Sequence, residues 1–158
     1  MADAQVNVRA SGDVAARVGR ALGIALPIEP NTVATVGECS ILWLGPDEWL
    51  VVDSKSSAAE IEAHVRAAFA PDWGSTVDVS ANRTIVELAG PLARDVLARG
   101  CSLDLHPRSF GPGRCAQTLL AKTAVILWQT DDAPTFKILV RASFAAQLTR
   151  WLADASAE

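Results

Sequence analysis

Tyrosine is absent from this sequence of 158 residues, and histidine and cysteine are scarce, with two and three copies. Cys39, Cys101 and Cys115 are odd in number and form no CxxC pair, so neither a disulfide framework nor a common zinc motif is indicated. The cluster of Cys101, His106 and Cys115 also lacks the ligand spacing of common zinc sites. We therefore expect unpaired, inert thiols in a reducing compartment and no metal bound by this chain.

Long hydrophobic runs and clustered basic residues are absent as well. No apolar stretch approaches the 18 residues that indicate a membrane-spanning helix, and Met1–Ala10 lacks the apolar core of a secretion signal, so we expect a cytoplasmic protein. The formal net charge is −4 and the Lys and Arg residues are scattered, which argues against nucleic-acid binding. The length and the 50% hydrophobic content predict a single folded domain over residues 1–158, with residues 1–10 left open to disorder.

The sequence motifs of nucleotide binding and of nucleophilic catalysis are missing too. There is no GxxxxGK[ST], no GxGxxG and no GxSxG. The one pair of adjacent carboxylates, Asp131-Asp132, stands in a polar stretch where aspartate is favoured for turn formation. We therefore predict no catalytic, cofactor-binding or metal-binding residue in this chain.

Hydrophobic periodicity and turn residues predict helices alternating with hairpins. Helices are predicted over Asp13–Leu22, from the Ser57–Glu60 capping box to Pro71, from Gly90-Pro91 to Gly100, and after Ser143. Strands are predicted over Val33–Val36, Ile41–Leu44, Trp49–Val52, Val77–Ser80, Arg83–Leu88, Thr118–Leu120, Val125–Trp128 and Phe136–Val140, with a turn at Ala81-Asn82 joining the fourth to the fifth. Because the strands come in hairpins between helices, the predicted fold class is α+β with mostly antiparallel sheets.

An internal similarity predicts that one ββα unit is used twice. Ile41-Leu42-Trp43 recurs as Ile126-Leu127-Trp128, and each is followed by a polar turn, a strand opened by an aromatic residue, and a helix introduced by serine. A chance likeness between two amphipathic units is the alternative. Side chains alternate between the faces of a strand, so if Leu42 and Leu127 face the helices, the neighbouring tryptophans face outward.

The outward tryptophans, Trp43 and Trp128, are the predicted partner surface. Tryptophan is enriched at interface hot spots, and five are many for a chain with nine aromatic residues. The alternative is core packing. We expect serine at either position to weaken assembly and to leave the melting temperature of the isolated chain within a few degrees.

The second half of the sequence resembles the glycine-cleavage T-protein folate-binding superfamily. The resemblance rests on Thr76-Val-Asp-Val-Ser80, Gly90-Pro-Leu-Ala93, Asp104-Leu105 and Gly111-Pro-Gly113. The acidic pair that carries aminomethyl transfer in that superfamily is replaced here by Ala124 and Val125, and a later asparagine by Arg141. Upstream, the stretch from Trp43 to Val52 is similar to the short branch formed by gamma subunits of heterotetrameric sarcosine oxidases.

This resemblance implies a T-protein-like fold and a place in a complex of alpha, beta, gamma and delta subunits. Such a complex oxidatively demethylates sarcosine to glycine and passes the one-carbon unit to tetrahydrofolate. The resemblance implies that FAD, FMN, NAD and tetrahydrofolate are bound on the other subunits, and that this chain is a non-catalytic structural subunit. Two alternatives stay open: a stand-alone T-protein-like domain that binds folate or transfers aminomethyl groups, and a free-standing interaction module.

Overall fold

A computed structural model describes residues 2–158 of the chain. The chain divides into two compact units, Met1–Ser80 and Ala81–Glu158. The single domain over residues 1–158 therefore stays a prediction, and each unit is described by itself.

The first unit is an antiparallel sheet of five strands with two helices. Its elements are β1 (Ala4–Arg9), α1 (Asp13–Leu22), β2 (Val33–Val36), β3 (Cys39–Gly45), β4 (Glu48–Asp53), α2 (Ala58–Phe69) and β5 (Ser75–Asp78). The strands lie in the order β2-β3-β4-β1-β5. The predicted helix over residues 13–22 is confirmed, and so is the Ser57–Glu60 capping box at the start of α2.

One face of this sheet packs against both helices. Val6, Ile41 and Val51 lie on neighbouring strands in register and are almost fully buried. They share a hydrophobic cluster with apolar residues of α1 and α2, among them Val18 and Val65. Because these helical residues recur at intervals of about four, each helix presents one apolar stripe to the sheet.

Within the stretch 1–10, which was left open to disorder, residues 4–9 form a strand. Ala4–Arg9 forms β1, which lies between β4 and β5, and Val6 and Val8 are fully buried. In this stretch apolar residues alternate with Gln5, Asn7 and Arg9, which is the pattern of a strand with one buried face.

The second unit is an antiparallel sheet of four strands with two helices. Its elements are β6 (Arg83–Ala89), α3 (Ala93–Ala98), β7 (Arg114–Leu120), β8 (Thr123–Asp131), β9 (Thr135–Arg141), a 3₁₀ turn (Ala142–Phe144) and α4 (Ala145–Ala157). The strands lie in the order β6-β9-β8-β7. Leu127, Phe136 and Ile138 form the centre of its core, together with Leu148 and Leu152 of α4. The predicted α+β class with antiparallel sheets is thereby confirmed.

The predicted pairing of strands around Ala81-Asn82 is wrong. β5 pairs with β1, and β6 pairs with β9, so the two stretches belong to different sheets. Val79 donates its amide hydrogen to the carbonyl of Gln5 at 2.8 Å, which continues the β1 pairing beyond β5. A short polar connection between two extended runs does not by itself distinguish a hairpin from a passage between units.

The internal repeat is present and is longer than predicted. The order β2-β3-β4-β1 in the first unit matches the order β7-β8-β9-β6 in the second. Each unit thus contains one βαβββα arrangement, and the ββα part predicted from the sequence is its second half. β5 is the additional strand of the first unit.

The two copies are offset by one residue relative to the repeated letters Ile-Leu-Trp. Trp43 lies opposite Trp49 immediately before a bulge, and Gln129 lies opposite Phe136 immediately before the matching bulge. Trp43 therefore corresponds to Gln129, not to Trp128. Side chains alternate between the faces of a strand. The offset therefore places Trp43 on the face of its sheet that the helices cover, and Trp128 on the face of its sheet that points away from the helices.

Gly100, which follows α3, gives a test of the packing in the second unit. A methyl group on this glycine would lie 2.6 Å from Cζ2 of Trp151 and 3.1 Å from the amide nitrogen of Ala121. Since overpacking a filled site costs about 1–3 kcal/mol, we expect Gly100→Ala to lower the free energy of unfolding by that amount in urea denaturation. Gly45→Ala is the control, because its nearest neighbour would be 3.7 Å away, and equal effects of the two changes would contradict the packing.

Candidate functional site

The residues considered as metal ligands do not come together. Cys115 is buried, Cys101 lies with Sγ 3.8 Å from Oγ1 of Thr118, and His106 is exposed, with Nδ1 accepting a hydrogen bond from the amide of Arg108. Within residues 2–158, no group of three or more His, Cys, Asp or Glu side chains is placed to hold a metal ion. These residues are explained by local packing and turn formation.

Asp131, the last residue of β8, and Asp132, the first residue after it, are both exposed where β8 turns towards β9. One carboxylate oxygen of Asp131 accepts a hydrogen bond from the amide of Ala133 at 2.9 Å. This interaction stabilises the turn, and it gives the carboxylate a structural role.

Two aspartates in the resemblance motifs also act in turns. Asp78 accepts hydrogen bonds from the hydroxyl and the amide of Ser80, which hold the pKa of its carboxyl below the ordinary value. The hydroxyl of Ser80 in turn accepts a hydrogen bond from the amide of Gln5 at 2.9 Å. In the second unit, Asp104 accepts from the hydroxyl of Ser109 and the amide of His106, which lower its pKa in the same way.

Arg94 on α3 is the centre of a polar network that sequence reasoning missed. Its guanidinium donates to the carbonyl oxygens of Leu105 and Phe110 and, at 2.9 Å, to Oε1 of Gln129, which is fully buried. It also lies over the ring of Phe136, 5.5 Å from the centroid. Arg94 therefore joins the long connection over residues 99–113 to β8, in addition to the stacking of Phe110 on Phe136. The sequence does not mark this network, because Arg94 and Gln129 are distant in sequence and are paired only in the folded unit.

The first unit carries an open apolar groove, which we call the α1 groove. It has a volume of about 1070 Å³ and lies between α1, the connection that follows α1, and the β3–β4 hairpin. Its lining includes Ala16, Arg20, Leu26, Ile28, Trp43 and Trp49. Concave apolar surfaces with few polar groups are the usual form of binding sites, so the α1 groove is the candidate functional site.

Hydrogen bonds within the unit hold the walls of the α1 groove. The indole nitrogen of Trp49 donates to the carbonyl of Pro27 at 2.8 Å, and the amide of Trp43 donates to the carbonyl of Thr32 at 3.0 Å. On the other side, Gly19 lies so close to the returning chain that an added methyl group would be 2.9 Å from the carbonyl oxygen of Ile24. Glycine is thus required at this contact, and the groove is formed before any partner arrives.

The predicted face is wrong for Trp43. Trp43 packs against the cluster between the sheet and the helices, and it is half-buried in the wall of the α1 groove. Leu42, which was expected on that face, is fully buried on the opposite one. The one-residue offset between the repeats is the physical reason.

Trp128 lies on the face of its sheet that points away from the α4 core, whereas Leu127 belongs to that core. Only 5% of Trp128 is exposed, and the ammonium of Lys137 lies 5.2 Å from the centre of its ring. Its place in a partner surface stays a prediction. The exposed fraction leaves little of the side chain for a partner, so the structure supports Trp43 more than Trp128.

Cys39 and Asp53 form the most perturbed titratable pair in the first unit. They lie opposite each other on β3 and β4. Burial raises the pKa of the Cys39 thiol to about 11 from an ordinary 9.0, and the charge of Asp53 contributes further. Burial alone would raise the pKa of Asp53, but hydrogen bonds from the amides of Ser56 and Lys55 lower it. The thiol therefore stays protonated and unreactive at neutral pH, as expected of an inert cysteine.

We expect Asp53→Asn to speed alkylation of Cys39 several-fold at pH 9, because one cause of the raised pKa is removed while burial remains. In the wild type, the stability that this protonated thiol contributes is present below pH 9 and lost as the pH rises towards 11. Iodoacetamide labelling with peptide mass spectrometry measures the rate, and Cys101 serves as the internal control. An unchanged rate at Cys39 would remove Asp53 as a cause.

The fold is that of the T-protein class. The structure of glycine cleavage system aminomethyltransferase T from Bartonella henselae is similar to this chain, with a TM-score of 0.67 and 15% identity. The match covers 95% of this chain and 43% of that protein, which agrees with the fold implied by the sequence motifs.

The particular family follows from closer matches. The model of the sarcosine oxidase, gamma subunit family matches residues 7–158, and the chain belongs to that family. Sarcosine oxidase subunit gamma of Corynebacterium sp. (strain P-1) is 43% identical over 158 residues, covering 98% of this chain and 76% of that protein. The corresponding subunit of Arthrobacter sp is 40% identical over 157 residues, with the same two shares covered.

A solved complex shows the same fold at higher similarity. It is the heterotetrameric sarcosine oxidase from Corynebacterium sp. U-96 in complex with pyrrole 2-carboxylate, with a TM-score of 0.89 and 37% identity. The match covers 97% of this chain and 78% of that one. None of the helices described within residues 2–158 is long and apolar enough to cross a membrane.

Proposed function

We propose that this chain is the gamma subunit of a heterotetrameric sarcosine oxidase and acts in it as a non-catalytic structural subunit. The observation that carries the proposal is similarity over nearly the whole chain to a chain of a solved heterotetrameric sarcosine oxidase. The complex would oxidatively demethylate sarcosine to glycine and pass the one-carbon unit to tetrahydrofolate. This chain would hold its partners in place.

The roles of the described carboxylates support a structural role. Asp78, Asp104 and Asp131 each accept hydrogen bonds from neighbouring amides or hydroxyls within turns. Apolar Ala124 and Val125 stand where the resembled superfamily has its acidic pair. A stand-alone aminomethyl-transfer domain would need such a pair at its reacting centre. The hypothesis of a structural subunit is therefore better supported than that of a stand-alone transferase.

The cofactors and partners of the proposed complex follow from the hypothesis that this chain is a structural subunit of the oxidase. FAD, FMN, NAD and tetrahydrofolate would be bound by other subunits, and the partners would be the alpha, beta and delta subunits. The complex would work in the cytoplasm. Trp43, half-buried in the wall of the α1 groove, is the better supported candidate for a contact with a partner.

The test is co-purification from the native cell with an affinity tag on this chain. We expect three further polypeptides in equal amounts, and sarcosine-dependent peroxide formation by the complex but not by the isolated chain. Folate titration of the isolated chain separates the alternative, because stoichiometric tetrahydrofolate binding would favour a stand-alone T-protein-like domain. Recovery of the chain alone, or with unrelated proteins, would contradict the proposal.

A further inference from the structure

The repeat within the chain shows how a surface like the α1 groove is closed. In the second unit, the connection over residues 99–113 supplies Phe110, whose ring stacks on that of Phe136 at a centroid distance of 6.4 Å. Phe136 corresponds to Trp49 by its place beside the bulge. Leu105 and Phe110 are buried there, and Arg94 binds their carbonyl oxygens.

Between residues 2 and 80, no segment of the first unit closes the groove in this way. The corresponding connection, residues 23–32, is shorter, and the carbonyl of Pro27 on it accepts a hydrogen bond from the indole of Trp49. Ile28 on this connection is 88% exposed, and the space beside Trp43 and Trp49 stays open. An apolar groove that one repeat fills from its own chain is thus left unfilled in the other.

The charge of the α1 groove limits what can fill it. Arg20 is the only charged residue among those that line the groove. Within residues 2–158, Arg20 has no carboxylate partner and no side-chain hydrogen bond. In the second unit the arginine beside the closing segment donates hydrogen bonds to carbonyl and amide oxygens of its own unit. Because Arg20 is unpaired among the described residues and an ionised acceptor binds a guanidinium more strongly than a neutral one, the complementary occupant is apolar and carries a carboxylate opposite Arg20.

We infer that the α1 groove is the docking site for an apolar segment of a partner subunit that bears an acidic residue. The segment takes the place that Phe110 and its neighbours take in the second unit, with a large apolar side chain between Ile28 and the tryptophans and a carboxylate at Arg20. A second copy of this chain fits less well, because a groove-to-groove dimer brings Arg20 to both sides of the interface. The inference rests on the proposed function, since the partner is a subunit of the oxidase.

Two groove variants and two controls test this inference in the complex. Ile28→Asp places a charge on the exposed apolar rim, and Arg20→Glu reverses the charge in the groove. Val36→Asp, at a position 59% exposed outside the groove, and Arg108→Glu, in the second unit, are the matched controls. Each tagged variant is co-produced with the remaining oxidase subunits, and complex dissociation on dilution is followed by mass photometry, with melting of the isolated chain as the check on folding.

We expect each groove variant to raise the dissociation constant at least about tenfold and both controls to stay within about twofold, with melting unchanged. We also expect salt to weaken assembly of the wild type and to strengthen assembly of Arg20→Glu, in which two like charges face each other. Assembly of both groove variants at wild-type strength would overturn the inference and leave the proposed function standing. A wild-type dimer of this chain that Ile28→Asp dissolves would also overturn it. Failure of the wild type to assemble with any oxidase subunit contradicts the proposed function itself.

Discussion

Arg94→Met is expected to lower the free energy of unfolding by about 3–5 kcal/mol. The change leaves the carbonyls of Leu105 and Phe110 and the side chain of Gln129 without their donor, and a buried polar group without a partner costs about 1–3 kcal/mol. Methionine preserves most of the aliphatic length, so the loss reports on the hydrogen bonds. Urea unfolding followed by tryptophan fluorescence measures it.

Two further variants make the Arg94 result specific. Arg108→Met removes an exposed arginine from the same connection and should change stability by less than about 0.5 kcal/mol. Arg94→Lys keeps a cation but not the planar fork that serves several acceptors, so its effect should be intermediate. If Arg94→Met is no more harmful than Arg108→Met, the polar network does not hold the connection.

Trp128→Ser is expected to lower the free energy of unfolding by about 3–5 kcal/mol, the usual cost of removing a large buried aromatic side chain. Trp128 is 5% exposed, and Lys137 lies over its ring. This outcome differs from the one expected from the sequence alone, in which serine would leave the melting temperature nearly unchanged. Trp73→Ser is the control, because Trp73 is 93% exposed and its loss should cost less than about 0.5 kcal/mol.

Trp43→Ser should fall between these two, because Trp43 is half-buried beside the α1 groove. Thermal and urea unfolding of the isolated variants give the order of the three costs. If Trp128→Ser and Trp73→Ser were equally mild, Trp128 would be a surface residue and its assignment to the partner surface would regain support.

Local patterns predicted most of the elements, because they depend on spacing within a few residues. The helix over residues 13–22 and the capping box at Ser57 are set by neighbours in sequence, and both are confirmed. β1 carries an equally local signal in the strict alternation of its apolar and polar residues. The pairing of β5 with β1 depends on residues about 70 positions apart, and no local pattern encodes it.

The candidate site was less predictable than the fold. Trp43 was singled out, but its face depends on which residue of β3 lies beside the bulge, and the sequence does not mark that residue. The α1 groove arises from the shortness of one connection relative to its counterpart, which only a structural comparison of the repeats exposes. The Arg94 network unites α3, a loop and β8, so it too belongs to the tertiary structure.

The one-residue offset between the repeats decides how the sequences of the two halves of the chain should be aligned. An alignment of the halves that matches Ile41-Leu42-Trp43 to Ile126-Leu127-Trp128 pairs side chains on the helix-covered face of one sheet with side chains on the opposite face of the other. The structural pairing instead matches Trp49 with Phe136, aromatic with aromatic, at the start of the following strand. The shared tripeptide therefore does not mark corresponding positions, and the correspondence between the repeats lies in the order of the strands and in the position of the bulges.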